Sequence, residues 1–122
     1  MKVKIAVAST DGKVVNEHFG RAEYFHIFEI EKNNYDYLET RNVKPCCSNE
    51  GHTNAAFEKV IEGIKDCVAI VVAKIGDGAS LYLEEKGFAI FEAPYFIDGV
   101  IKKIIEDELL EPEREGKNGD FV

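Results

Sequence analysis

Two adjacent cysteines and a nearby histidine are the side chains of this 122-residue chain best suited to hold a metal. Cys46 and Cys47 are followed by His52, within a short stretch rich in Pro, Ser, Asn and Gly. Thiolate and imidazole groups are ligands for iron, iron–sulfur clusters, zinc and copper(I). The common zinc patterns separate their cysteines by two to four residues, unlike this pair. Adjacent cysteines also point apart, so both reach a single small ion only with strain, and a cluster with several iron atoms is an easier target. The alternative is that the cysteines are ordinary loop thiols.

Two other residues of the same types have different expected roles. His18 lies in a polar loop, in the segment Asn-Glu-His-Phe-Gly-Arg, and is a further candidate iron ligand. His26 lies within a strand pattern and is predicted to pack on the sheet. Cys67 begins an apolar run, where a thiol behaves as a small hydrophobic group. Of these three residues, only His18 is predicted to belong to a metal site.

A glycine-containing turn is the second kind of candidate site. Gly76, Gly78 and Ala79 precede or open a predicted helix, and the N–H groups at a helix N-terminus attract anions. No Gly-Lys-Ser/Thr follows, so the turn differs from the phosphate loop of nucleotide hydrolases. A helix cap alone would also explain the glycines. Four basic residues fall in or next to the candidate loops and could balance the charge of an anionic ligand: Lys13, Arg21, Lys44 and Lys74.

Hydrophobic periodicity predicts the elements that position these loops. Five strands are predicted, over residues 2–9, 23–31, 35–43, 67–73 and 88–91. The turn at 32–34 is short enough to make the second and third strands a hairpin. Three helices are predicted, over residues 53–65, from the Gly76 turn to a C-terminal cap at Gly87, and over 97–105 with Asp98 as the N-cap.

This element order predicts an α/β fold with a mixed five-stranded sheet and helices on both faces. Right-handed crossovers and short connections give the strand order 3-2-1-4-5, with strand 2 antiparallel to its neighbours. Strands 1, 3 and 4 then end at the same edge of the sheet. Open α/β sheets bind ligands outside the carboxyl ends of their strands. The predicted topology therefore brings together the loops that contain His18, the cysteine pair and the glycine turn.

Composition restricts the class of function. The net charge of −8 argues against a nucleic-acid partner. No apolar run reaches the roughly 20 residues that cross a bilayer. Without a signal peptide pattern, we expect a cytoplasmic protein whose thiols stay reduced. We expect one domain over residues 1–106, followed over 107–122 by an acidic, flexible tail with six acidic and two basic residues.

The enzyme interpretations find little support in the sequence. There is no nucleophile motif with a plausible base, and there is no HExxH. The topology is similar to that of ribonuclease H, whose nucleases need carboxylates on the first strand. Here that strand carries Lys2 and Lys4 and no acid. The sequence therefore favours a binding protein over an enzyme.

Three segments resemble the dinitrogenase iron–molybdenum cofactor-binding family over roughly residues 1–106. They are Ala8-Ser9-x-Asp11-Gly12, then Val15-x-x-His18-Phe19-Gly20-Arg21-Ala22 before an aromatic strand, and Gly76-x-Gly78-Ala79 with Gly87 closing the helix. The resemblance implies a ribonuclease H-like three-layer fold. It also implies non-catalytic binding of an anionic, iron–sulfur-based metallocluster, with cluster donor and acceptor proteins as partners. The family's motif histidine corresponds to His18, whereas the role of Cys46 and Cys47 rests on their chemistry.

The sequence therefore leads to one primary function and two alternatives. The primary hypothesis is a carrier for a metallocluster, with His18 and Cys46 or Cys47 as iron ligands and His52 as a possible third. One alternative is a mononuclear zinc or iron site built from the same residues. The other is a small regulatory module that binds an anion or nucleotide at the glycine turn.

Overall fold

A computed structural model of the chain describes residues 2–43, 54–107, 109–110 and 119–120. Six strands and three helices are present in this part of the chain. The strands are β1 Lys2–Ala8, β2 Tyr24–Glu31, β3 Asn34–Asn42, β4 Ala69–Val72, β5 Ala89–Glu92 and β6 Gly119–Asp120. The helices are α1 Asn54–Ile64, α2 Asp77–Glu85 and α3 Ile97–Glu106, and a short 3-10 turn covers Phe19–Arg21.

The strands form one mixed sheet in the order β3-β2-β1-β4-β5-β6. β2 is antiparallel to both β1 and β3, while β4 is parallel to β1 and β5 is parallel to β4. The predicted order of the first five strands and the direction of strand 2 are therefore confirmed. The two-residue β6 pairs in parallel with the outer side of β5 and had no counterpart in the prediction.

Each face of the sheet has its own apolar core, as expected where strand side chains alternate between faces. On one face, Ala6 and Ala8 of β1 belong to a buried cluster that includes Ile64 of α1 and Leu83 of α2, called the α1–α2 core below. On the other face, Ile5 and Val7 of the same strand lie in a cluster that includes Val100, Ile101 and Ile104 of α3, called the α3 core. The sheet is thus covered by helices on both sides, which confirms the predicted three-layer fold.

The start of α3 differs from its prediction. The N-cap is Phe96 and not Asp98, which lies inside the first turn. The Ile97 N–H donates to the Lys13 carbonyl at 2.9 Å, so backbone pairing with a distant loop fixes where the helix begins. The Asp98 carboxylate instead accepts a hydrogen bond from the Tyr35 hydroxyl and pairs with Lys102 at 3.1 Å. Aspartate is a favoured N-cap residue, so Asp98 was a misleading signal for the start of the helix.

The described part of the predicted tail contacts the domain. Leu109 and Leu110 are half-buried and pack against the α3 core. The Leu109 N–H donates to the Ile104 carbonyl at 3.1 Å. The assignment of residues 1–106 as the domain and of 107–122 as a flexible tail stays a prediction.

Candidate functional site

Five of the described strands, β1, β3, β4, β5 and β6, end at one edge of the sheet, which is called the carboxyl edge below. β1, β4 and β5 are mutually parallel, and β3 shares their direction because β2 is antiparallel to both β1 and β3. The chain therefore leaves β3 at the same edge as it leaves β1 and β4. Lys44, Cys46, Cys47 and His52 follow β3, and all four lie outside the described residues.

The loop after β1 begins with a compact turn built around a buried serine. Ser9 is fully buried, and its Oγ accepts the Gly12 N–H at 2.9 Å. Asp11 accepts the N–H groups of Lys13 and Val14 at 2.8 and 3.2 Å, and these hydrogen bonds lower the pKa of its carboxyl. Gly12 has φ +75°, a left-handed conformation that favours glycine. The Ser-x-Asp-Gly motif therefore shapes the loop and directs it across the carboxyl edge.

The same loop also pairs with residues that follow β5 and β4. Val14 forms a bridge with Phe96, where the Val15 N–H donates to the Tyr95 carbonyl at 2.9 Å. His18 forms a parallel bridge with Lys74, two residues after β4 ends. The exposed His18 is thus held at a fixed position on the carboxyl edge.

Two backbone hydrogen bonds fix the position of His18 relative to α2. The Ala73 N–H donates to the Glu17 carbonyl and the Phe19 N–H donates to the Lys74 carbonyl, both at 2.9 Å. Phe19 itself is buried in the α1–α2 core and anchors the 3-10 turn. His18 therefore lies one residue from a buried aromatic ring and directly beside the turn that leads into α2.

The start of α2 presents backbone amides at this edge. Gly76 is the N-cap, no side-chain capping hydrogen bond is formed, and the first helical bond runs from Ser80 N–H to the Gly76 carbonyl at 2.9 Å. The first N–H groups of a helix have no partner within it. No described atom lies within 4 Å of a Cβ added at Gly76 or Gly78. Ala79 is half-buried and packs against the α1–α2 core.

The glycines of this turn are therefore not needed to avoid a clash. Gly76 has φ −73°, which any residue can adopt. A glycine within the first helical turn, such as Gly78, disfavours the helix relative to alanine. Both glycines are exposed, so the start of α2 is open to solvent.

Charges of both signs lie at the carboxyl edge. Lys13, Arg21 and Lys74 are exposed there, and the Arg21 N–H donates to the His18 carbonyl at 3.0 Å. Acidic side chains lie near them: Asp11 in the loop after β1, Glu17 beside His18, Asp77 in the first turn of α2, and Glu92 at the end of β5. Side chains of both signs therefore belong to the loops and element ends at this edge.

Two residues that sequence analysis set aside have structural roles. His26 Nε2 lies 3.0 Å from the Ser9 carbonyl and its Nδ1 lies 2.8 Å from the Thr40 hydroxyl, so the ring links β2 to the loop after β1 and to β3. Cys67 is 5% exposed, and burial raises the pKa of its thiol to about 12. Both positions agree with the predicted packing roles.

One residue that contacts the candidate site, Glu92, was not predicted from the sequence. Glu92, the last residue of β5, accepts the Ile75 N–H at 2.8 Å and so contacts the turn between β4 and α2. Nothing in the local sequence distinguishes this glutamate from an ordinary exposed one, because its partner belongs to another strand connection.

A complete metal site is not formed by the described residues alone. Among them, no group of three His, Cys, Asp and Glu side chains is arranged to hold an ion. His18 is bridged to Lys74, two residues before Gly76, whereas Cys46, Cys47 and His52 lie outside the described residues. Over the same described residues, no helix is long and apolar enough to cross a membrane.

A protein-family model with the description "Dinitrogenase iron-molybdenum cofactor" matches residues 1–107. The chain belongs to this dinitrogenase iron–molybdenum cofactor family. The match covers strands β1 to β5, the His18 loop and the glycine turn. The family resemblance read from the motifs is therefore confirmed.

The curated relatives that match this chain are much longer proteins. The FeMo cofactor biosynthesis protein NifB of Frankia alni is 33% identical over 105 residues, which are 84% of this chain and 21% of NifB. NifB of Herbaspirillum seropedicae is 37% identical over 76 residues, which are 62% of this chain and 14% of that protein. The chain thus spans about a fifth or less of the length of these relatives.

Two solved structures share the fold of this family member. A crystal structure from Methanocaldococcus jannaschii, provisionally named a dinitrogenase, has a TM-score of 0.58 at 19% identity, covering 88% of this chain and 92% of the other. A solution structure from Thermotoga, provisionally named a NifB protein, has a TM-score of 0.53 at 22% identity, covering 93% and 99% of the two chains. At these identities the likeness concerns the fold.

Proposed function

We propose that this chain is a non-catalytic carrier that binds an iron–sulfur-based metallocluster at its carboxyl edge. The cluster would be the iron–molybdenum cofactor, a precursor of it, or a cluster of similar chemistry. Membership of the dinitrogenase iron–molybdenum cofactor family supports this proposal. The names of the NifB relatives, which are FeMo cofactor biosynthesis proteins, point in the same direction. Proteins that donate the cluster and proteins that accept it would be the partners.

The observation that carries the proposal is the placement of His18 beside the start of α2. Two backbone hydrogen bonds of 2.9 Å hold the histidine against the chain that leads to Gly76. An exposed imidazole can ligate iron, and amides at a helix N-terminus can donate to the sulfides of an anionic cluster. In this arrangement, His18 would be an iron ligand. Gly76, Gly78 and Ala79 would contribute N–H donors, and Arg21 would contribute positive charge.

The remaining ligands would come from the segment between β3 and α1. This segment starts at the carboxyl edge because β3 ends there. Cys46 or Cys47 would provide a thiolate for iron, His52 would be a further ligand, and Lys44 would add positive charge. Iron–sulfur clusters are typically held by cysteine thiolates, so this part of the proposal follows the usual chemistry. We place the carrier in the cytoplasm, where thiols remain reduced.

Anaerobic reconstitution with iron and sulfide tests the proposal. The wild-type chain should develop broad visible absorption and bind iron and sulfide together. The Cys46→Ala/Cys47→Ala double variant and His18→Ala should each lose most of this loading while keeping the same melting temperature. Cys67→Ala is the matched control, because it removes a buried thiol that is remote from the proposed ligands and should retain loading. Full loading of all the variants would contradict the proposed ligand set.

Two other functions give different results in the same experiment. Binding of zinc or iron without sulfide, lost in the same variants, would indicate a mononuclear site. The open N-terminus of α2 also suits a small anion or nucleotide, which would make the chain a regulatory module. A rise in melting temperature with nucleotides but not with iron would favour that module over the carrier.

A further inference from the structure

One peptide group at the carboxyl edge is held from two sides. The Lys74 carbonyl accepts the Phe19 N–H at 2.9 Å, and the N–H of the same peptide, on Ile75, donates to a Glu92 carboxylate oxygen at 2.8 Å. The first bond comes from the loop after β1, and the second comes from the end of β5. The Lys74–Ile75 peptide, between β4 and α2, is therefore bonded to the loop after β1 and to the end of β5, which are distant in sequence.

Both hydrogen bonds of the Lys74–Ile75 peptide affect the geometry of the proposed cluster site. The Phe19 N–H belongs to the peptide that follows His18, so the orientation of the Lys74 carbonyl sets the position of the histidine. Ile75 directly precedes Gly76, the N-cap of α2, so the Ile75 N–H direction also sets where the helical amides begin. A rotation of the Lys74–Ile75 peptide would disturb the histidine and the amides together.

Glu92 is well placed to prevent that rotation. Side chains alternate along β5, so Glu92 lies on the same face as Ile90, which belongs to the α1–α2 core. The Glu92 side chain is half-buried, unlike the exposed Gly76 beside it. A hydrogen bond to an ionised acceptor is about twice as strong as a neutral one. The carboxylate thus gives the peptide a stronger restraint than an uncharged side chain would.

We propose that Glu92 is a positioning residue that fixes His18 and the start of α2 by holding the Lys74–Ile75 peptide. The role of Glu92 in cluster binding rests on the proposed carrier function, whereas its effect on the peptide does not. Glu92 acts through the backbone and does not touch the cluster. The acceptor oxygen orients the peptide, and the negative charge strengthens this hydrogen bond without being required for it.

The test compares Glu92→Ala, which removes the acceptor, with Glu92→Gln, which keeps an acceptor oxygen and removes the charge. Glu31→Ala is the matched control, because Glu31 is an exposed glutamate that also ends a strand but lies at the opposite edge. Amide resonances and hydrogen exchange are measured on the metal-free protein. Glu92→Ala should shift the Ile75 and Phe19 amides and raise their exchange rates about ten-fold or more. Glu92→Gln should restore both amides, and Glu31→Ala should change neither.

Cluster affinity is the second measurement. Glu92→Ala should weaken loading by iron and sulfide about ten-fold or more, and Glu92→Gln should recover it. An unchanged Phe19 amide in Glu92→Ala would overturn the proposal, as would a Glu92→Gln variant that behaves like Glu92→Ala. If Glu92→Ala does not fold, Glu92→Asp, whose carboxylate is set back by one methylene, gives the same comparison of amides. A wild-type chain that fails to load would contradict the carrier function, while the amide measurements would still decide the role of Glu92.

Discussion

Burial makes the thiol of Cys67 unreactive. The thiol is 5% exposed at the entry to β4, and burial is the main cause that raises its pKa to about 12. The adjacent Asp66 carboxylate raises the pKa further. The thiolate is the nucleophile and the metal ligand, so a thiol with this pKa is inert at neutral pH.

Alkylation of the native protein should therefore spare Cys67. With iodoacetamide at pH 8 and in the absence of metal, we expect modification at Cys46 and Cys47 and none at Cys67 until urea unfolds the chain. Mass spectrometry of the peptides reports each site. The Cys67→Ala variant, which lacks that thiol, should give the same native labelling pattern as the wild type. Rapid modification of Cys67 in the folded protein would contradict this account.

Residue types and spacing pointed to candidate site residues, but not to the contacts that those residues make. His18 and the glycine turn could be recognised because an imidazole in a polar loop and glycines before a helix are local signals. Glu92 could not be recognised, because its role depends on the exact alignment of the ends of β4 and β5. The local sequence also suggested Asp98 as a cap, and a backbone bond from Ile97 to Lys13 overrode that signal.

At the scale of the elements, the glycines near the two ends of α2 have different physical origins. Gly87 follows the helix with φ +101°, a conformation that side chains with a Cβ rarely adopt. Gly78 lies in the first turn with ordinary helical surroundings and open space around it. The C-terminal glycine is thus required by the backbone, and the N-terminal one is not.

Alanine substitutions should separate these two roles. Gly87→Ala should lower the free energy of unfolding by about 1–2 kcal/mol, because it forces an L-residue into the left-handed region. Gly78→Ala should leave stability unchanged or raise it by up to about 1 kcal/mol, because alanine is the better helix former. Urea unfolding measures both changes. Equal destabilisation by the two substitutions would be inconsistent with the open space at Gly78.

The connection between α1 and β4 is tied to β3 by a charged network. Arg41 donates from Nη1 and Nη2 to the two carboxylate oxygens of Asp66, at 2.6 and 2.9 Å, and also to the Gly63 carbonyl at 3.0 Å. Lys4 Nζ reaches the same carboxylate at 3.2 Å. These partners, Arg41 above all, hold the pKa of the Asp66 carboxyl well below its usual range.

This network should make stability depend on pH in the acid range. Because the folded-state pKa of Asp66 is lower than the unfolded one, its stabilisation is complete above about pH 5 and is lost as the pH falls through the folded pKa. Asp66→Asn should cost about 1 kcal/mol at pH 7 and progressively less below pH 4. Glu62→Gln, in an exposed pair with Lys65, is the control and should cost less than about 0.5 kcal/mol. An Asp66→Asn deficit that persists unchanged to pH 2 would argue against this linkage.

At the scale of the whole molecule, simple rules were enough to predict the sheet. The turn at Lys32 and Asn33 forces β2 and β3 into a hairpin, and right-handed crossovers then leave few positions for β4 and β5. The convergence of the loops after β1 and β4 followed from that order. β6 was not predictable, since a two-residue pairing has no periodic signal.

Shortening the chain at two points should show where the domain ends. Truncation after Leu110 removes the Gly119–Asp120 pairing and should lower the melting temperature by less than about 8 °C, or about 1 kcal/mol for a domain of this size. Truncation after Glu106 also removes Leu109 and Leu110, which pack on the α3 core, and should cost at least about 1 kcal/mol more. Thermal unfolding followed by circular dichroism gives both values. A larger loss from the first truncation would mean that the acidic segment is part of the folded domain.

The loop after β1 is fastened to two neighbouring connections, by the Val14–Phe96 and His18–Lys74 bridges. The conformational entropy of this loop is therefore given up when the protein folds, and not when a ligand arrives. A group bound at His18 meets a side chain whose backbone is already ordered, so little of its binding free energy is spent on immobilising the loop. In the proposed function, His18 would therefore be a preorganised ligand that binds without a folding step of its own.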